Sequence, residues 1–112
     1  MPRPLFPRER GALDALLAAE FDGSRELRLQ AESALAEGDG LIVDLVVDQA
    51  LPVARVRSRA PVEANVHDGD HDGGLILFVY QGRLSALEYW WTSDEMPLEF
   101  PPVTAIGKPA VM

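Results

Sequence analysis

The stretch Asp68-Gly69-Asp70-His71-Asp72-Gly73 carries metal-ligand side chains at alternate positions. It matches the first six positions of a calcium loop, D-x-D-x-D-G. In such a loop, carboxylates at every second residue converge on one hard cation and the glycine permits a sharp turn. The twelfth position, where a bidentate glutamate belongs, is Val79. The simpler reading is a solvated acidic turn joining two strands. The alternative is a weak calcium or magnesium site on Asp68, Asp70 and Asp72, completed by a carboxylate such as Glu63. His67 and His71 stand four residues apart in the same loop, where helical ligand geometry does not apply. Exposed loop histidines explain them more simply than transition-metal ligation.

Two other groups bear charge in a pattern. Arg55, Arg57 and Arg59 alternate along one side of an extended segment. They form either an anion-binding stripe or one half of a set of cross-strand ion pairs. If the turn at 49–52 sets Asp44 opposite Arg57, then Asp44 and Asp48 neutralise the row, and this structural reading is preferred. Glu88 lies in an apolar run beside Tyr89, Trp90 and Trp91. A buried carboxylate there would need a partner or a raised pKa, which marks many functional sites. General acid–base work would require a second titratable group nearby. An outward tryptophan is better read as a binding anchor. No G-x-S-x-G or P-loop pattern occurs.

Composition narrows the field. The chain has 112 residues, 18 acidic against 10 basic, and a net charge of −8. Such an acidic protein repels phosphate backbones, so neither nucleic acid nor an anionic membrane is expected as a partner. The absence of cysteine excludes disulfides and thiolate metal sites. No apolar run approaches the length of a membrane span, and no signal-type segment is read at the N-terminus. A cytoplasmic protein of one domain, 1–112, is the expectation.

The elements follow from periodicity. Pro2, Pro4 and Pro7 make residues 1–7 an extended lead-in. Leu13, Leu16, Leu17 and Phe21 form one apolar stripe and predict a helix over 8–21, with Gly23 as its stop. Residues 26–36 fit both strand and helix periods. Residues 41–48 alternate cleanly and predict a strand with Leu41, Val43, Leu45 and Val47 on one face. A strand over 54–66 is interrupted at Pro61, and 67–74 is a polar loop. Gln81-Gly82 joins two apolar runs, 75–80 and 84–92, as a tight hairpin. Four prolines make 93–112 an irregular tail. One helix followed by antiparallel strands is an α+β fold, here a helix on a sheet of about five strands.

The segment from Gly73 to Tyr89, with its apolar strand, Gly turn and Leu84-Ser85-Ala86-Leu87-Glu88, resembles a broad group of small uncharacterised bacterial proteins. Ser93-Asp94-Glu95-Met96-Pro97 is similar to a short tail that follows in that group. Leu27-Arg28-Leu29-Gln30 resembles the opening of its strand region. The likeness covers about residues 25–101. It implies a strand at 26–36, a role as a toxin's partner such as some members of that group are assigned, and no catalytic residues.

The hairpin register sets the functional expectation. With Tyr80 opposite Arg83, Phe78 faces Ser85 and Ile76 faces Leu87. One face then holds Ile76, Phe78, Tyr80, Leu87, Tyr89 and Trp91. The other holds Leu75, Leu77, Val79, Leu84, Ala86, Glu88 and Trp90. Both faces are apolar, and one helix can cover only one of them. The expectation is that Leu13, Leu17 and Phe21 cover the face with Phe78, Tyr89 and Trp91. Leu75, Leu77, Leu84, Glu88 and Trp90 then border a contact with the tail, a second copy or a protein partner. The leading function is a non-catalytic protein-binding module, homodimeric or toxin-neutralising. A small-molecule binder or enzyme built around Glu88 and the aromatics is the alternative, and a divalent-cation loop on a structural protein is a third.

Overall fold

The computed structural model describes residues 1–69 and 71–112. Its elements are β1 (Arg3–Pro4), α1 (Pro7–Leu17), α2 (Ser24–Glu32), β2 (Leu35–Glu37), β3 (Ile42–Val46), β4 (Val62–Asp68), β5 (His71–Tyr80), β6 (Arg83–Trp91) and β7 (Ala110–Val111), with a single 3-10 turn at Val103–Ala105. The fold is α+β. An antiparallel sheet runs in the order β1-β2-β3-β6-β5-β4-β7, and two helices pack against it. The two-residue strands β1 and β7 close the two edges, so a sheet expected to have about five strands has seven.

Helix α1 begins where Pro7 needs no backbone donor. Glu9 reaches back to accept the Phe6 N–H at 2.7 Å. The same carboxylate, almost fully buried, takes two hydrogen bonds from Arg3 at 2.8 and 2.9 Å. This fork–fork pair ties the N-terminal strand to the helix. Helix α1 ends at Leu17, four residues earlier than periodicity predicts. Gly23 is not its stop but the residue that opens α2.

Residues 26–36 are mostly helix rather than strand. Leu27, Gln30, Ala31 and Ala34 are buried, the i, i+3, i+4, i+7 stripe. In this segment helix-forming Arg, Glu, Leu, Gln and Ala prevail over the alternation. The two helices cap one another. Arg28 donates to the carbonyls of Leu17 and Ala19, and Arg10 to those of Ala31 and Ala34. Each guanidinium thus adds hydrogen bonds to carbonyls at and just beyond the C-terminal end of the other helix.

The helices cover one sheet face. Val43, Leu45, Val62, Ala64, Leu75, Leu77, Leu87 and Tyr89 lie beneath them. The alternation read in 41–48 holds: Leu41, Val43, Leu45 and Val47 are buried, and Ile42, Asp44 and Val46 face out. Residues 54–61 are irregular, and β4 starts after Pro61 and runs on to Asp68. The stretch 67–74 is not a loop, because Val66 to Asp68 pairs with His71 to Gly73. The tail crosses the helical side: Phe100 packs against Tyr89, and Arg8 donates to the Phe100 carbonyl.

Gln30 is fully buried and makes three hydrogen bonds. Its amide NH2 donates to the carbonyls of Pro52 and Gly82, both at 3.0 Å. Its Oε1 accepts the Leu84 N–H at 2.9 Å. One side chain thereby joins α2, the 50–54 loop and the β5–β6 hairpin. Replacing Gln30 with Leu strands the buried Leu84 N–H and removes one bond from each of the Pro52 and Gly82 carbonyls, the latter keeping the Ala54 N–H. Urea unfolding should register a loss of about 2–4 kcal/mol. Gln30→Glu, which sets an acceptor against both carbonyls, should be at least as damaging, and a loss below about 0.5 kcal/mol for Gln30→Leu would show the clamp to be energetically idle.

Candidate functional site: the uncovered sheet face

The β5–β6 hairpin turns at Gln81 and Gly82, both with positive φ (50° and 78°), as a tight primed turn requires. A side chain at Gly82 would also strike the Ala54 carbonyl, 2.8 Å from an ideal Cβ. Tyr80 pairs with Arg83 as expected, and Val79 with Leu84. The register then shifts. Phe78 faces Ala86, Leu77 faces Leu87 and Ile76 faces Glu88, so Ser85 has no residue opposite it. This is a β-bulge. Backbone groups around it are satisfied off the ladder: Val79 N–H by the Arg59 carbonyl at 2.7 Å, Leu84 N–H by Gln30.

The bulge re-sorts the two faces, because strand side chains alternate and one extra residue inverts every position beyond it. Leu75, Leu77 and Leu84, expected to border a partner, are 0%, 0% and 2% exposed under the helices. Leu87 and Tyr89 join them there. Phe78 is on the other face, not under α1. Glu88 and Trp90 do lie on the uncovered face, with Ile76, Phe78 and Ala86.

Register builds that face row by row. Ile42 faces Glu88, Glu88 faces Ile76, and Ile76 faces Glu63, so isoleucine and glutamate alternate across four strands. In the next row Glu37 faces Asp44, Asp44 faces Ala86, and Ala86 faces Phe78. Ile42 is 60% exposed and Trp90 37%. Trp90 lies flat across Gly74, where an added Cβ would come within 2.6–2.8 Å of its indole ring. Gly74 thus supplies the seat that holds the ring against the sheet.

Glu37, Asp44, Glu63 and Glu88 have no ion-pair partner among the described residues. Glu37 opposite Asp44 is a like-charge cross-strand pair, which costs stability. Arg57 does not meet Asp44. It leaves the strand region and pairs with Asp22 at 2.8 Å, because 54–61 is irregular.

The other sequence candidates disperse. Asp68 continues the inward parity of Ala64 and Val66, whereas Asp72 pairs opposite His67 on the outward parity and bonds to it. The two carboxylates therefore diverge, as neighbours on a two-stranded ribbon must, and do not wrap one cation. Asp70 lies outside the described residues. Among the described residues no group of three metal-ligand side chains converges. A cleft of about 420 Å³ lies between Phe6, Pro7, Leu98 and Phe100, and Glu88 is not in its lining.

At the inward end of the sheet, the Tyr89 hydroxyl is buried without a partner among the described residues. Burial, aided by Asp68 and Asp72, pushes its pKa above the ordinary value.

The residues missed from sequence are Ile42, Asp44, Glu37, Ile76 and Phe78 as one surface. One signal was present: Leu84 and Leu87 stand three apart, and two core residues at odd spacing on one strand require an extra residue between them. Compared with protein-family models, curated proteins and solved structures, the chain finds no match.

Two outcomes check this geometry. Gly74→Ala should unseat Trp90, shifting its fluorescence to longer wavelength and raising its accessibility to quencher. Tyr89 gives a pH signature. Above about pH 10 the unfolded chain releases the phenolic proton while the native chain keeps it, so stability falls as pH climbs through that window. Urea midpoints taken on both sides of it should fall less steeply for Tyr89→Phe than for the parent.

Proposed function

We propose that this chain is a non-catalytic protein-binding module whose binding surface is the uncovered sheet face. The observation that carries the reading is the placement of both helices and the tail on one side. Ile42, Ile76, Phe78, Ala86 and Trp90 are left in adjacent rows on the other. Contiguous apolar surface of this kind, rimmed by polar residues, marks interaction sites. A flat sheet carrying a seated tryptophan offers an anchor for a protein. Glu88 stands between two isoleucines with no second titratable group directly opposite it on β3 or β5, which speaks against the enzymatic alternative.

A second copy is the weaker candidate for the partner. Two such faces meeting about a two-fold axis would bring eight carboxylates, four from each subunit, into one interface with no cation from these strands' outward positions between the chain turns, in a chain already at −8. The module is therefore read as binding a different protein. The resemblance of 25–101 to small bacterial proteins, with a toxin among the partners it implies, is consistent with this and forms part of the proposal.

The test is site-specific photo-crosslinking in cells. A photoreactive residue at position 42 or 76 should give a discrete adduct, and one at position 14 on the outer side of α1 should not. The captured protein, purified, should bind the parent chain and lose affinity by about tenfold or more with Trp90→Glu. Adducts from position 14 alone, or from none of the three, would overturn the reading.

A further inference from the structure

We infer that the partner on this face is a cationic protein surface, one presenting arginine or lysine around apolar side chains. This rests on the proposed binding face and adds the chemistry of its occupant. The first support is the segregation of charge. Outward positions on β2, β3, β4 and β6 carry Glu37, Asp44, Glu63 and Glu88, and none of these strands' outward positions between the chain turns holds lysine or arginine. Arg83, at the hairpin end, is turned to the Gln49 carbonyl at 3.3 Å.

Six of the ten basic residues are engaged elsewhere, and of the rest only Lys108, two residues before the Glu63 partner Ala110, stands next to one of these strands' carboxylates in the register. Arg3 is held by Glu9, Arg8 by Glu99, Arg28 by Glu20 and Arg57 by Asp22. Arg10 serves the end of α2. Over the central strands, Glu37, Asp44 and Glu88 therefore set a negative field on an apolar surface.

The second support is the spacing. Carboxylate and apolar side chains alternate along the row Ile42–Glu88–Ile76–Glu63, roughly 5 Å apart from strand to strand. A partner with apolar and cationic side chains at similar spacing can bury the isoleucines and pair each glutamate together. A neutral apolar partner would bury Glu88 and Glu63 unpaired, at a cost that opposes binding. An acidic partner would be repelled, and a cationic one would also relieve the Glu37–Asp44 repulsion.

Three short synthetic peptides provide the probe: one alternating arginine and leucine, one with glutamine for arginine, one with glutamate. Binding is read by calorimetry and by amide shifts in the NMR spectrum of the whole chain. The arginine peptide should shift residues 42, 76, 78, 88 and 90, and the glutamine peptide should bind about tenfold more weakly or less. The glutamate peptide should not bind. The triple change Asp44→Asn, Glu63→Gln, Glu88→Gln, which touches no core residue, should weaken the arginine peptide by about tenfold and leave the glutamine peptide unchanged. Equal binding of the arginine and glutamine peptides, or indifference to the triple change, would overturn the cationic partner and leave the face as a docking surface. No shifts on this face with any peptide would overturn both. A dimer in light scattering at about 100 µM that Trp90→Glu dissociates would assign the face to a second copy and overturn the inference.

Discussion

Gln30 reaches from α2 to the base of the β5–β6 hairpin and takes the N–H of Leu84, the last residue paired before the bulge. Its two amide hydrogens hold the Gly82 turn and the Pro52 loop in the same place. A buried backbone group without a partner is costly, so the position of Leu84 and the presence of a helix bearing Gln30 are mutually dependent. From Leu84 onward, Ser85 is the extra residue, and every later side chain of β6 takes its face from that. Leu87 and Tyr89 enter the core, and Ala86, Glu88 and Trp90 leave it. Without the bulge, the core would have to accept Glu88 and Trp90, and the surface would carry Leu87 and Tyr89.

The same helices that supply Gln30 also decide where the positive charge goes. Their arginines are drawn to helix-end carbonyls and to acidic residues of the helical side. The uncovered face is left with carboxylates and apolar side chains. Charge that is unpaired within the chain, including a like-charge pair directly across two strands, is a stability cost without an internal compensation. A partner supplies the compensation in the proposed function, and it ties affinity to ionic strength as well as to apolar contact.

Trp90 shows how local backbone features prepare such a surface. An exposed indole on a sheet can swing through several rotamers, and ordering it on binding costs entropy. The bare backbone of Gly74 lets the ring lie against the sheet in the unbound chain. The anchor is set before a partner arrives, and the glycine that weakens β5 locally is offset by aromatic cover from the neighbouring strand.

Much of the architecture was legible in residue order alone. Alternation in 41–48 told which side chains of β3 are buried, the stripe of leucines placed α1, and Gln81-Gly82 marked the hairpin turn. These signals are local: each depends on a period or on a backbone conformation that few residues adopt. The α+β class followed from them, as did the excess of apolar surface over what one helix can cover. What the residue order did not decide was every point where two periods or two partners compete. Residues 26–36 satisfied both strand and helix patterns, and Gln30's three distant contacts favour the helix. Arg57 was expected opposite Asp44, and the irregular path of 54–61 carried it to Asp22 instead. The faces of the last hairpin hung on whether Ser85 was counted in the ladder. Side-chain alternation has a period of two, so a single unpaired residue reverses the pattern without leaving a mark in composition or mean hydropathy. Only the tertiary structure, through the packing of Leu84 and Leu87 on the same side, settled which face of the sheet meets the outside.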